Sequence, residues 1–115
     1  MYAVRRLQAV LNAAARLVTG TRLNEQITPV LRDTLHWLPV TQRIYYKIAL
    51  MTYSCVHGTS PAYFHDICHP VASVDGHAML RSANYGELVK PRRREKCYSP
   101  RSFRVVAPFV WNNLL

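Results

Sequence analysis

The stretch LHWLPVTQR, Leu35 to Arg43, decides how this chain folds. A histidine and a tryptophan stand in a leucine frame, and a proline interrupts the frame just before a long amphipathic run. Pro39 disfavours the helical region for Leu38, so a helix arriving from the N-terminal side should stop there. Its fixed φ also suits the first turn of a following helix. Trp37 offers a large apolar body to fill the wedge where the two helices diverge. Binding by Trp37 or His36 is the other use these side chains could serve.

Downstream of the joint, Val40, Ile44, Ile48, Met51 and Cys55 are spaced 4, 4, 3 and 4, and they predict a helix from about Val40 to Val56. Tyr45, Tyr46, Leu50 and Tyr53 widen its apolar face, so it is expected to lie at the centre of the core. Gly58 should end it. Upstream, Val4, Leu7, Leu11, Ala14 and Val18 form one stripe of a first helix, with Arg5, Arg6, Gln8, Asn12 and Arg16 on the other face. Gly20 is placed to stop that helix in a left-handed turn, and Thr21 to Gln26 reads as a loop. Thr28-Pro29 is a hydroxyl-proline start signal for a short helix to about Leu35.

Ser60-Pro61 repeats that signal for a short fourth helix carrying Tyr63, Phe64 and Ile67, and His69 to His77 reads as a loop. Glu87–Lys90 and Lys96–Tyr98 are β-prone runs that would suit a small hairpin around Pro91-Arg92-Arg93-Arg94-Glu95. The apolar segment from Phe103 to Leu114 should dock back on the helices. The expected fold is therefore mainly α: a small bundle of four to five helices, with a short β-hairpin near the C-terminus. At 115 residues, the length points to a single domain, 1–115.

Half of the residues are hydrophobic and 18% are charged, which excludes a disordered tail. No apolar run reaches the roughly 20 residues that span a bilayer, so no membrane association is expected. No secretory signal follows Met1 to Arg6. Three cysteines (Cys55, Cys68 and Cys97) at irregular spacing suit a reducing, intracellular compartment, nuclear or cytoplasmic.

Charge is the strongest compositional signal. The chain carries +9 at neutral pH, and residues 81–104 hold eight Lys and Arg against two Glu, a net +6. A block of that density points to a polyanion, of which nucleic acid is the commonest. The candidate nucleic-acid-binding residues are Lys90, Arg92, Arg93, Arg94, Lys96 and Arg101, with Tyr85 and Tyr98 placed to stack on unpaired bases. A solvated basic face without a ligand is the plainer alternative.

Catalytic chemistry has little to stand on. The six carboxylates include no Asp-Asp pair, and there is no phosphate-binding glycine loop, nucleophile elbow or His-Glu-x-x-His helix. Cys55, His57, His65, Cys68 and His69 are possible zinc ligands, but their spacing matches no usual finger or knuckle. Neither a metal nor another cofactor is expected.

The joint, Leu35-His36-Trp37-Leu38-Pro39-Val40 with Gln42-Arg43-Ile44, resembles the segment downstream of the polymerase domain in LINE-type (non-LTR) retrotransposon reverse transcriptases of the jockey-like clades. Leu7-Gln8, Asn12 to Thr19 and Thr28-Pro29-Val30-Leu31 are similar to what precedes that joint in the family. Tyr53, Cys55, His57-Gly58 and Ser60-Pro61-Ala62-Tyr63 follow in order. So do Leu80-Arg81-Ser82, Val89-Lys90-Pro91-Arg92, Tyr98, Arg101-Ser102-Phe103, Ala107-Pro108 and Trp111-Asn112. The resemblance covers nearly the whole chain. Ser99-Pro100 departs from it, standing where the family has Gly-Asp, and Ala62 replaces a second proline.

The resemblance implies a piece of an RNA-directed DNA polymerase of a transposable element, without the paired catalytic aspartates or the endonuclease. It would not be an enzyme by itself. The implied role is auxiliary: holding template RNA or primer DNA beside the parent polymerase domain. A protein-interaction or packing module, or a remnant without function, is the alternative.

Overall fold

The computed structural model describes residues 1–91 and 101–115. They are mainly helical, as expected. In chain order they form α1 (Tyr2–Thr19), a π-helical turn (Val30–Thr34), α2 (Val40–Val56), 3-10 turns at Ala62–Phe64 and Val71–Ser73, α3 (Arg81–Asn84) and α4 (Phe103–Leu114). The chain packs as two compact units, Met1–Ile44 and Tyr45–Leu115.

In the first unit, alanines carry α1 to Gly20, whose φ of 69° ends it in the left-handed turn read from the sequence. The apolar stripe is used differently from expectation. Leu7 and Val18 are more than half exposed, and the fully buried position is Ala15, beside the stripe. Ala15 has no atoms beyond Cβ, so Ile27 and Leu31 can close on the helix backbone, with Val30, Leu35 and Trp37 packed around them. Arg16 does not simply face solvent: its guanidinium donates to the carbonyls of Arg22 and Glu25 and ties the following loop to α1.

The segment opened by Thr28-Pro29 is a single π-helical turn and not an α-helix. The Leu35 N–H donates to Val30 O at 3.0 Å, a closure that brings Val30 and Leu35 to the same side of the turn, over the Ala15 cluster. His36 then takes φ 53°, the left-handed region, and the Trp37 N–H turns back to Leu31 O at 2.8 Å. So His36 stops the turn, Trp37 drops half-buried onto Ala15, Ile27 and Leu31, and Pro39 opens α2. The Val40 N–H has no acceptor within its own helix at this point. Gln8 of α1 supplies one, its Oε1 accepting at 2.8 Å.

In the second unit, α2 contributes a half-buried seam rather than a core centre. Ile48 and Cys55 pack on a buried cluster of Cys68, Leu88 and Ala107, whereas Tyr45, Tyr46 and Tyr53 are at least half exposed. Thr52 is fully buried, and its hydroxyl is satisfied by donating to Ile48 O at 2.8 Å. Gly58, at φ 70°, follows the helix. The short fourth helix expected after Ser60-Pro61 is a single 3-10 turn, Ala62–Phe64. The stretch read as a loop includes a second such turn, Val71–Ser73. The four-residue α3 has no periodic signal in the sequence.

The expected hairpin has one arm within the described residues, Glu87–Lys90, and that arm pairs elsewhere. Leu88 forms an isolated antiparallel bridge with Pro70, flanked by Val71 N–H to Glu87 O at 2.9 Å and Val89 N–H to His69 O at 2.8 Å. The other arm, Lys96–Tyr98, lies outside the described residues. The C-terminal apolar segment does dock: in α4, Ala107, Pro108 and Val110 are buried. Pro108 sits inside that helix, where it gives up one i to i−4 hydrogen bond but contributes a fully buried ring.

Candidate nucleic-acid interface

Four of the six basic candidates, Arg92, Arg93, Arg94 and Lys96, lie outside the described residues, as does Tyr98. Lys90 and Arg101, which flank that block, are both exposed. Lys90 comes two residues after Leu88, and Arg101 comes just before the N-cap of α4, Ser102. Tyr85 is mostly exposed.

The approach to the basic block is held by the C-terminal half of α4. The Asn112 side chain closes both backbone groups of Leu88: its Oδ1 accepts the Leu88 N–H at 2.8 Å, and its Nδ2 donates to Leu88 O at 3.0 Å. One residue earlier, the Trp111 Nε1–H donates to Gly86 O at 3.1 Å. Leu88 is 1% exposed, so its backbone would be unpaired without this amide. Lys90 therefore projects from a fixed strand-like stretch, not from a loose loop. Nothing in the residue pattern marked this use of Trp111-Asn112.

The possible zinc ligands are distributed otherwise, and no group of three metal-binding side chains occurs among the described residues. The His57 ring stacks on Tyr53 at 3.9 Å, and the His69 Nε2 meets Asp66 O at 2.9 Å. Cys55 and Cys68 pack together in the apolar cluster as free thiols. Burial, reinforced by the neighbouring Cys55, pushes the Cys68 thiol up to about 12, so it stays protonated and unreactive at neutral pH.

Two concave surfaces were not legible in the sequence. An apolar groove of about 330 Å³ lies in the second unit between Tyr45, Tyr46 and Ala49 of α2 and Phe109, Val110 and Leu114 of α4. A larger cleft of about 650 Å³ lies in the first unit at the joint, where Trp37 and Pro39 meet Gln8, Asn12 and Gln42. Gln8 and Asn12, on the face of α1 opposite its apolar stripe, are half-buried there, and Gln8 Nε2 donates to Asn12 Oδ1 at 2.9 Å.

Comparison with protein-family models, with curated proteins and with solved structures yields no match.

Proposed function

We propose that this chain is a non-catalytic module of the kind found behind the polymerase of non-LTR retrotransposon reverse transcriptases, and that it binds single-stranded RNA or DNA. The observation that carries the reading is the net +6 within residues 81–104, in a chain whose overall charge is +9. The fixed stretch leading to Lys90 and the exposure of Lys90, Arg101 and Tyr85 support it. Lys90, Arg92, Arg93, Arg94, Lys96 and Arg101 meet phosphates, and the parent polymerase domain is the protein partner. The setting is intracellular. Equilibrium binding of a fluorescent single-stranded oligonucleotide at several salt concentrations tests this: affinity should fall steeply and linearly on a log–log plot.

The apolar groove between α2 and α4 favours a second reading, a protein-interaction or packing module. A hydrophobic contact of that kind would be nearly indifferent to salt.

A further inference from the structure

The cleft at the joint has the make-up of a ligand pocket. Its volume of about 650 Å³ falls in the range of small-molecule sites. One wall is apolar, formed by Trp37, Leu38 and Pro39; the other carries the side-chain amides of Gln8, Asn12 and Gln42. No carboxylate lines it.

The amides are not equivalent. Gln8 is committed, with its oxygen on Val40 and its nitrogen on Asn12. That bond fixes Asn12 by its oxygen and leaves its two N–H donors without a partner among the described residues. The Gln42 side chain likewise has no partner there. An amide offers both donor and acceptor, the pairing that base edges present. Beside the cleft, the Arg43 guanidinium lies over the Trp37 ring at 6.0 Å and is pinned by Nε donating to Leu38 O at 2.9 Å. Its terminal nitrogens make no hydrogen bond among the described residues. The rim also contains His36, a side-chain-bearing residue held in the left-handed region, the type of backbone strain that gathers at binding sites.

We propose that this cleft takes one unstacked nucleobase of a single-stranded nucleic acid, with Trp37 as its aromatic wall, Asn12 and Gln42 reading its edge, and Arg43 on the adjoining phosphate. The inference rests on the nucleic-acid-binding reading above but assigns it a second contact point, built from residues of the first unit. It makes the joint between the π-helical turn and α2 a recognition element as well as a structural one.

The test uses the full chain, labelled with nitrogen-15, titrated with rU and dT oligomers of about eight nucleotides, a typical site size. The Trp37 indole N–H and the Asn12 and Gln42 side-chain amides should shift saturably with one oligomer or both. A response to rU alone would add the ribose hydroxyl to what is recognised. The pair of substitutions Asn12→Ala and Gln42→Ala should weaken binding about tenfold or more while leaving its salt slope unchanged, because the lost contacts are to a base. Trp37→Phe, which keeps an aromatic ring in the wedge, should weaken binding less. Salt-dependent binding with all three reporters unmoved would overturn this inference and leave the proposed function standing. No binding of either oligomer would overturn both.

Discussion

The Oε1 of Gln8 accepts the backbone N–H of Val40 at 2.8 Å, so a residue near the start of α1 caps α2 from 32 positions away. Pro39 opens α2 without supplying a side-chain cap, and Gln8 does what a serine or aspartate at that position would otherwise do. Gln8→Ala should therefore cost about 1 kcal/mol, the usual worth of a helix cap. Gln8→Glu keeps the acceptor and adds negative charge at a helix N-terminus, and the Asn12 amide can turn its Nδ2 toward the new carboxylate, so it should recover most of the loss. Urea midpoints of the three proteins check this. Equal destabilisation by both substitutions would contradict the capping role.

The joint itself makes a paired prediction. Trp37 is half-buried against Ala15, Ile27 and Leu31, so Trp37→Ala should cost about 2–3 kcal/mol, below the range for a fully buried tryptophan. His36→Gly should be neutral or stabilise by up to about 1 kcal/mol, since glycine accepts φ 53° without strain. Thermal melts of both variants decide it. A clear loss on His36→Gly would mean that the imidazole itself holds the turn.

Asn112 offers a sharper case. Asn112→Ala leaves the N–H and the C=O of a buried residue unpaired, which should cost about 2–4 kcal/mol for the two groups together. Asn112→Asp keeps the acceptor but faces Leu88 O with a carboxylate, so it should also destabilise. Amide exchange at Leu88 in the wild type should be among the slowest in the second unit. Fast exchange there would show that the clamp does not hold in solution.

Cys68 predicts an alkaline limit. Its pKa in the fold, about 12, lies above its ordinary 9.0, so the stability it lends is fully present below pH 9 and is lost as the pH rises toward 12. Cys68→Ala should lower stability at pH 7 but flatten its decline above pH 9 relative to the wild type. At pH 8, alkylation of Cys68 by iodoacetamide should be more than an order of magnitude slower in the folded chain than in urea. Equal rates in the two conditions would mean that Cys68 is accessible.

What the residue pattern revealed, and what it did not, follows from the range of the forces involved. The bounds of α2 and the stop at Gly20 were legible because periodicity and glycine chemistry are local. The packing use of Trp37 was legible because the proline beside it demands a wedge. Gln8 and Asn112 were not, because each looks like an ordinary polar helix residue until a distant backbone group is brought to it. The pairing of Glu87–Val89 with His69–Val71 was not legible for a related reason. A β-prone run does not name its mate, and among the described residues this one pairs with His69–Val71.

The central claim is that the basic block holds phosphates, and the direct test is the salt slope of single-stranded RNA binding with Arg92, Arg93 and Arg94 all changed to alanine. These three arginines supply a third of the net +9, and none of them belongs to the apolar stripes read from the sequence. Each lost phosphate contact should flatten the slope of log affinity against log salt by about 0.7, so the triple variant should lose about two units, with binding weakened alike on every sequence. An unchanged slope in a variant with unaltered thermal stability would contradict the claim and leave the α2–α4 groove as the working surface of the chain.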